Sequence, residues 1–212
     1  MNNNKIGIYN YYSSNSFSLK SALDKISVDY LLSDDFDKIS ECQKIIIPGI
    51  GNMKNLLSNI DRETLKEKIE NYIKIKKGTI YGICLGMQIL LNSSSEGNVK
   101  TLEVIKGHTV ALEEKFKKNL NVGYRLINLE ESKFTFKNLF KGINNPKLYF
   151  LHKYYCLVDD ANVDKIYIKQ DNQKILAGLY KNKILGTQFH PELSGKNGLI
   201  FLKNFCNHSF NL

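Results

Sequence analysis

The ten residues Thr79–Gln88 read TIYGICLGMQ and place one cysteine between two contrasting runs of sequence. Thr79–Ile83 is short, apolar and rich in β-branched residues, which predicts a buried strand. Leu85–Leu91 is apolar and contains good helix formers, so it predicts a helix. Glycines two residues before and two residues after Cys84 remove side chains that would crowd a tight turn. The stretch therefore predicts a nucleophile elbow with Cys84 at its tip.

A histidine and a glutamate stand together much further along the chain, where Gln188–Glu192 reads QFHPE. Lys183–Phe189 predicts a strand, and Pro191 disfavours a helix immediately after it. In an extended segment residues i and i+2 face the same way, so Glu192 can hold one ring nitrogen of His190. The other ring nitrogen is then free to act as a base.

Cys84, His190 and Glu192 together predict an acyl-transfer enzyme that works through a covalent intermediate. A cysteine nucleophile needs a base, and the base needs a group that orients it. The elbow also places the sulfur at a helix N-terminus, which favours the thiolate. Each motif has a plainer interpretation alone, because free cysteines are common in protein cores and His-Pro-Glu can be a simple turn. The complete set of three residue types favours catalysis.

These motifs resemble the two signatures of the class I, triad-type glutamine amidotransferases. Within that family the chain is most similar to the glutaminase subunit of imidazole glycerol phosphate synthase, from histidine biosynthesis. The similarity covers nearly the whole chain, and Ile45–Gly51, Ser95–Gly97 and Tyr149–His152 match further family segments. The resemblance implies that L-glutamine is hydrolysed to glutamate and ammonia, and that the ammonia passes to a partner synthase in a heterodimer.

The resemblance also implies which residues handle the substrate. Cys84 attacks the side-chain amide carbon of glutamine, ammonia leaves, and water hydrolyses the thioester. Backbone N–H groups are expected to stabilise the oxyanion, which is a large contribution in such sites. The expected donors belong to Gly49, Ile50, Gly51 and Leu85. The residues expected to bind glutamine are Gln88, Glu96, His152, Lys153 and Tyr154.

The chain departs from the family pattern around the site but not at the triad. The loop Asn10–Asn15 lacks the usual glycines, and the usual His-Met-Gly-Trp-Asn near the synthase interface is replaced by Asn121–Arg125. The usual His-Ser-Tyr is His152–Tyr154 here, and Leu193 stands where a basic residue usually follows the triad glutamate. A buried cation needs a counter-ion, so Arg125 is expected to be exposed or to meet a carboxylate.

These departures leave the ammonia acceptor open. It is expected to be the (β/α)8 cyclase of imidazole glycerol phosphate synthase, or an enzyme that builds amidino groups on bacterial surface sugars. Two further alternatives are a cysteine hydrolase on the same elbow fold and a catalytically silent regulatory subunit. A hydrolase would not need Gln88 and Glu96 together, and a silent copy has no reason to keep all three triad residues.

Composition argues against several other classes of protein. A chain of 212 residues is expected to form one domain spanning 1–212. The net charge is +9, but the lysines are scattered and no nucleic-acid module is recognisable. No segment approaches the roughly 18 apolar residues of a membrane span. The four cysteines lack the spacing of zinc or redox motifs, so we expect neither a metal nor a cofactor. We also expect a cytoplasmic protein with neither nucleic-acid nor membrane partners.

The alternation of strand and helix signals in the first half predicts an α/β fold. We expect a three-layer sandwich with a central, mostly parallel sheet and a strand-rich second half. Strands are predicted at Lys5–Tyr9, Val28–Leu32 and Ile45–Ile47, and helices at Ser16–Ile26 and after a cap at Asp61. Later elements are strands at Val104–Ile105, Tyr124–Asn128, Leu148–Leu151 and Lys165–Lys169, a hairpin of Ile175–Tyr180 with Lys183–Phe189, and a helix from near Lys196.

Overall fold

The computed structural model describes residues 5–11, 16–116 and 119–210. Most of the predicted loop Asn10–Asn15, residues 12–15, therefore lies outside the described residues. In the first half strands alternate with helices, as the sequence pattern predicts. These elements are β1 (Ile6–Tyr9), α1 (Phe17–Lys25), β2 (Tyr30–Ser33), α2 (Phe36–Ile39), β3 (Lys44–Ile47), α3 (Met53–Leu57), α4 (Arg62–Lys74), β4 (Thr79–Ile83) and α5 (Leu85–Gln88).

The second half is rich in strands and ends on a long helix. Its elements are β5 (Ser93–Ser94), β6 (Val99–Lys100), β7 (His108–Ala111), β8 (Asn121–Leu126), α6 (Phe134–Leu139), β9 (Lys147–His152), β10 (Tyr154–Leu157), β11 (Asp164–Gln170), β12 (Gln173–Lys181), β13 (Ile184–Thr187), β14 (Phe189–His190) and α7 (Gly195–Asn207). Short 3-10 helices cover Leu112–Glu114 and Pro191–Leu193.

The central sheet has seven strands in the order β11-β12-β13-β4-β3-β1-β2. Neighbouring strands from β13 to β2 run parallel, and β12 and β11 add an antiparallel edge. Two smaller sheets, β10-β7-β5-β6 and β14-β9-β8, stand beside it. The predicted α/β class with a mostly parallel central sheet is therefore confirmed.

Buried side chains fall into two clusters because alternate strand residues point to opposite faces of the sheet. In β3, Ile46 packs in one cluster and Ile45 packs in the other. The first cluster includes residues of α1, α6 and α7, and the second includes residues of α2, α3 and α4. The sheet is thus covered on both faces, which is the predicted three-layer arrangement.

Four local predictions differ from the structure. Pro191–Leu193 is a short 3-10 helix rather than an extended segment, because proline is tolerated at the first position of a helix. Helix α5 ends at Gln88 rather than near Leu91, and Val104–Ile105 is not a strand. Both differences have one cause: the N–H groups of Val104 and Ile105 donate to the carbonyl of Leu90, so this segment caps the end of the turn after α5. The predicted hairpin forms, but its second strand stops at Thr187.

The break after Thr187 matters for the site. Phe189 and His190 leave the central sheet and pair instead with Phe150 and Tyr149 of β9. This change of sheet moves His190 out of line with β13. No helix within the described residues is long and apolar enough to cross a membrane.

Candidate active site

Cys84 lies on the predicted sharp turn between β4 and α5. Its backbone adopts φ 54° and ψ −108°, a conformation that L-residues rarely take, and its N–H donates to the carbonyl of Thr187 at 2.7 Å. A Cβ at Gly82 would overlap the carbonyl of Gly86, and one at Gly86 would overlap the carbonyl of Ile47. The glycines are therefore required by close backbone packing, as the sequence predicts.

His190 and Glu192 form the predicted pair. His190 Nδ1 lies 2.8 Å from Glu192 Oε1, and the imidazole is 1% exposed. Burial alone would lower the pKa of His190, but the charge and hydrogen bonding of Cys84 and Glu192 outweigh it and raise that pKa well above its usual value. Because Nδ1 is held by Glu192, Nε2 is the ring nitrogen left to act on Cys84, and among the described residues it has no hydrogen-bond partner of ordinary geometry in this conformation. The arrangement favours a thiolate–imidazolium pair.

A cavity of about 260 Å³ opens beside the Cys84 sulfur. Its lining includes every residue predicted for the oxyanion hole and for glutamine binding. His190 and Glu192 do not line it. Two apolar side chains that the sequence did not single out, Leu120 and Leu151, complete the lining. Leu151 stands inside a segment already matched to the family, whereas nothing in the sequence marks Leu120. The predicted lining residues are Gly49, Ile50, Gly51, Leu85, Gln88, Glu96, His152, Lys153 and Tyr154.

One predicted oxyanion donor is occupied in this conformation. The N–H of Leu85 donates to the carbonyl of Gly49 at 3.4 Å, so it does not face an empty position beside the sulfur. The loop packs tightly on the elbow, because a Cβ at Gly49 would overlap the backbone of Gly86. Gly51 has φ +118° with open space around it. A rotation of the Gly49–Ile50 peptide would release the Leu85 N–H.

Glu96 carries the only carboxylate that lines the described cavity, and it is already tied to the start of α3. Its Oε1 accepts from Asn52 Nδ2 and its Oε2 accepts from the Met53 N–H, both at 2.9 Å. A carboxylate has further lone pairs, so Glu96 can still receive a cation from the cavity. The sequence analysis missed Asn52 and Met53, because their role depends on the packing of a distant loop.

His152 is a second buried histidine, and both of its hydrogen-bond partners are uncharged. Its Nδ1 donates to the carbonyl of Tyr154 at 2.8 Å, and its Nε2 accepts from Asn121 Nδ2 at 2.9 Å. Burial lowers the pKa of His152 to about 4. The positive charges of His190 and Arg125 also lower this pKa, whereas the hydrogen bond to the Tyr154 carbonyl raises it. His152 is therefore uncharged at neutral pH. Beside it Lys153 is exposed at the cavity rim.

A larger and more polar cavity, of about 640 Å³, lies at the other end of the sheet. Residues at the starts of β1, β3, β4 and β13 line this cavity. Cys84 lies at the opposite edge of the sheet, because it follows the end of β4. Its described lining includes Cys206, His208 and Asp29, but no hydrogen bond joins the His208 ring to the Asp29 carboxylate in the part of the chain that the structure describes. Part of the excess positive charge gathers at this edge, on Lys5, Lys44, Lys76, Lys77 and Lys183.

An apolar strip covers the outward face of β8 and β9 next to the cavity. We call Val122, Tyr124, Leu126 and Leu151 the β8–β9 strip, and these side chains are between 42% and 55% exposed. Val122 pairs with Leu151 across the two strands. Arg125 is half-buried, and its guanidinium donates to the carbonyls of Val122 and Tyr124. Its expected carboxylate partner, on this chain or on the synthase, stays a prediction for the synthase side.

Known proteins are similar to this chain over nearly its whole length. Residues 8–208 match the family model of the class I glutamine amidotransferases. Imidazole glycerol phosphate synthase subunit HisH 2 of Methanococcus maripaludis is 33% identical over 204 residues, covering 94% of this chain and 98% of that protein. Subunit HisH of Haemophilus influenzae is 35% identical over 195 residues, covering 90% and 91%.

Solved structures share the fold at lower sequence identity. A chain of PurLQS from Thermotoga maritima matches with a TM-score of 0.71 and 20% identity, covering 96% of this chain and 97% of its own length. The glutaminase domain of CTPS from Trypanosoma brucei, solved with bound acivicin, matches with a TM-score of 0.63 and 14% identity, covering 95% and 92%. At these identities the likeness shows the fold alone.

Proposed function

The chain belongs to the class I glutamine amidotransferases, and we propose that it hydrolyses L-glutamine and delivers the ammonia to a separate synthase subunit. The proposal rests on one observation above the others: an oriented His190–Glu192 pair stands behind an elbow cysteine that opens on a cavity. Relatives at 33% and 35% identity are subunits of imidazole glycerol phosphate synthase. The proposed partner is accordingly the (β/α)8 cyclase of that enzyme.

In the proposed mechanism Cys84 attacks the side-chain amide carbon of glutamine. The thiolate is the attacking form, and the raised pKa of His190 keeps a proton available for the leaving ammonia. Water then hydrolyses the thioester, with His190 acting as the base. Glu192 fixes the ring orientation through Nδ1 and stabilises the imidazolium.

The cavity supplies the proposed binding groups for glutamine. Glu96 is suited to the α-ammonium because its carboxylate lines the cavity and is held in place by two hydrogen bonds. Gln88 is buried and its amide is held by the carbonyl of Tyr154 at 3.1 Å, so it offers a fixed polar wall next to the sulfur. His152 stays neutral and therefore does not protonate released ammonia, which is a much stronger base than imidazole.

We also propose a reducing compartment, the cytoplasm, as the place of this reaction. Cys42, Cys84, Cys156 and Cys206 are all free thiols. Disulfides form and persist in oxidising compartments, where an active thiolate would itself be lost. The free thiols support the proposal.

We expect Cys84→Ala to lower glutamine hydrolysis by at least about a thousandfold, because no other group can form the thioester. Cys42→Ala is the matched control, since Cys42 is a buried thiol away from the cavity and should leave turnover close to the original rate. Glutamate release is measured on both folded variants. Substantial turnover by Cys84→Ala would remove Cys84 from the mechanism.

Glu192→Gln should lower kcat by about a hundredfold or more, and His190→Ala should lower it further. The amide fills the same space but does not stabilise an imidazolium or fix its tautomer as a carboxylate does. Steady-state kinetics of the two variants, with circular dichroism as the check of folding, tests this order. Equal kcat for Glu192→Gln and the unchanged protein would contradict the role of the pair.

Glutamine turnover should be slow in the isolated chain and should rise when the synthase binds. The physical reason is the bond from the Leu85 N–H to the Gly49 carbonyl, which leaves the oxyanion without that donor. The effect should fall mainly on kcat, because rotating one peptide adds transition-state stabilisation without new contacts to bound glutamine. Equal kcat with and without the partner would overturn this explanation.

The β8–β9 strip is the proposed docking surface for the synthase, since it is apolar and adjoins the cavity mouth. Leu126→Asp should weaken synthase binding at least about tenfold, because a charge is placed in an apolar contact. Ile75→Asp is the control: Ile75 is exposed at the C-terminal end of α4, away from the cavity. Calorimetric titration compares the two, and equal affinities would place the interface elsewhere.

A further inference from the structure

Gln188 is a buried polar residue that the mechanism above does not use. Its side chain is fully buried, and its Nε2 lies 3.4 Å from the Cys84 sulfur. Gln188 lies between the end of β13 at Thr187 and the start of β14 at Phe189, two residues before His190. A neutral N–H donor thus faces the nucleophile together with the imidazole.

The orientation of this amide is determined by its neighbours. The carbonyl of Tyr154 can only accept, so the group of Gln88 that contacts it at 3.1 Å is the Nε2 donor. The same Nε2 lies 3.0 Å from Gln188, which must therefore present its oxygen there. A flipped Gln188 amide would set two N–H groups against each other. The Gln188 N–H consequently points at Cys84.

A donor of this kind would add to the effect of the His190 imidazolium, and it matters because solvation and the helix dipole are both limited at Cys84. The sulfur is nearly buried, and burial disfavours a charged form. Helix α5 has only four residues, so its dipole is far smaller than that of a full helix. Hydrogen bonds to a charged acceptor are stronger than those between neutral groups, which suits a fixed amide facing a thiolate.

We propose that Gln188 is a further catalytic residue, whose side-chain N–H stabilises the Cys84 thiolate and whose orientation is set by Gln88 and the Tyr154 carbonyl. The proposal rests on the proposed function, because it concerns the same nucleophile. The chain of contacts also joins the sulfur to the cavity wall, since Gln88 and Tyr154 both line the cavity.

Among the residues that the structure describes, Tyr11, Cys156 and His190 interact electrostatically with Cys84. Burial raises the pKa of Tyr11 and of Cys156 far above neutral pH, so both stay uncharged. His190 is the one whose charge changes with that of the sulfur, and none of the variants below alters it. Differences among these variants therefore report on the amide.

The test is the pH dependence of Cys84 alkylation by iodoacetamide, with Cys84→Ala subtracted as the background of the other thiols. Gln188→Met keeps a long unbranched side chain but removes the N–H donor. We expect the midpoint of the alkylation profile to move to higher pH by about one unit, because the thiolate loses one hydrogen bond. A role confined to packing would leave that midpoint in place.

The variant Gln188→Met leaves one N–H of Gln88 unpaired in a buried place, which can destabilise the fold. The double variant Gln88→Met, Gln188→Met removes both partners and should show the same upward shift. Thr187→Val is the matched control, because Thr187 is equally buried in the adjacent position and its side chain bonds Tyr81 and Phe189 rather than the sulfur. Its midpoint should equal that of the unchanged protein.

Thermal unfolding verifies that each variant is folded before alkylation. An unchanged midpoint in the double variant, or in a folded Gln188→Met, overturns the proposal, and so does an equal shift in Thr187→Val. Alkylation requires no glutamine, so its outcome is independent of the substrate. An unchanged protein that fails to hydrolyse glutamine would refute the proposed function while the shift at Cys84 could still be measured.

Discussion

The backbone turn at Cys84 is the constraint on which the site depends. Its conformation, with φ 54°, costs on the order of 1–3 kcal/mol for a residue with a side chain. The surrounding sheet holds it, because the Cys84 N–H bonds Thr187 of β13 and Gly86 packs against the carbonyl of Ile47 in β3. Cys84, the proposed nucleophile, is therefore positioned by the register of three parallel strands, in which every residue but Lys44 is buried.

Two buried histidines show how partners decide a charge. His190 has the Glu192 carboxylate on one side and Cys84 on the other, and its pKa is raised despite burial. His152 has a carbonyl and a carboxamide, and burial lowers its pKa to about 4. One imidazole can carry a proton through the reaction, while the other provides a neutral wall. Of these two histidines, His190, on the Glu192 side of the sulfur, is therefore the one suited to proton transfer.

The sequence was sufficient for features that depend on local spacing. The elbow follows from two glycines around Cys84. The pair of His190 and Glu192, 2.8 Å apart, was also predicted, but on the premise of an extended segment, whereas Glu192 lies in the 3-10 helix Pro191–Leu193. Features that depend on distant loops were not predictable. The Leu85–Gly49 bond, the contacts of Glu96 with the start of α3 and the shortening of α5 all arise when separate segments pack together. No local pattern encodes those contacts.

The occupied Leu85 N–H and the β8–β9 strip lie on one rim, and this proximity gives a physical route between them. Leu151 belongs to both, because it lines the cavity and is exposed in the strip. Ile50 lines the same cavity and is also exposed, and its peptide is the one that must turn to free Leu85. A protein seated on the strip would therefore reach the oxyanion loop without any long-range change in the sheet. The strained elbow can stay rigid while the adjacent loop changes state.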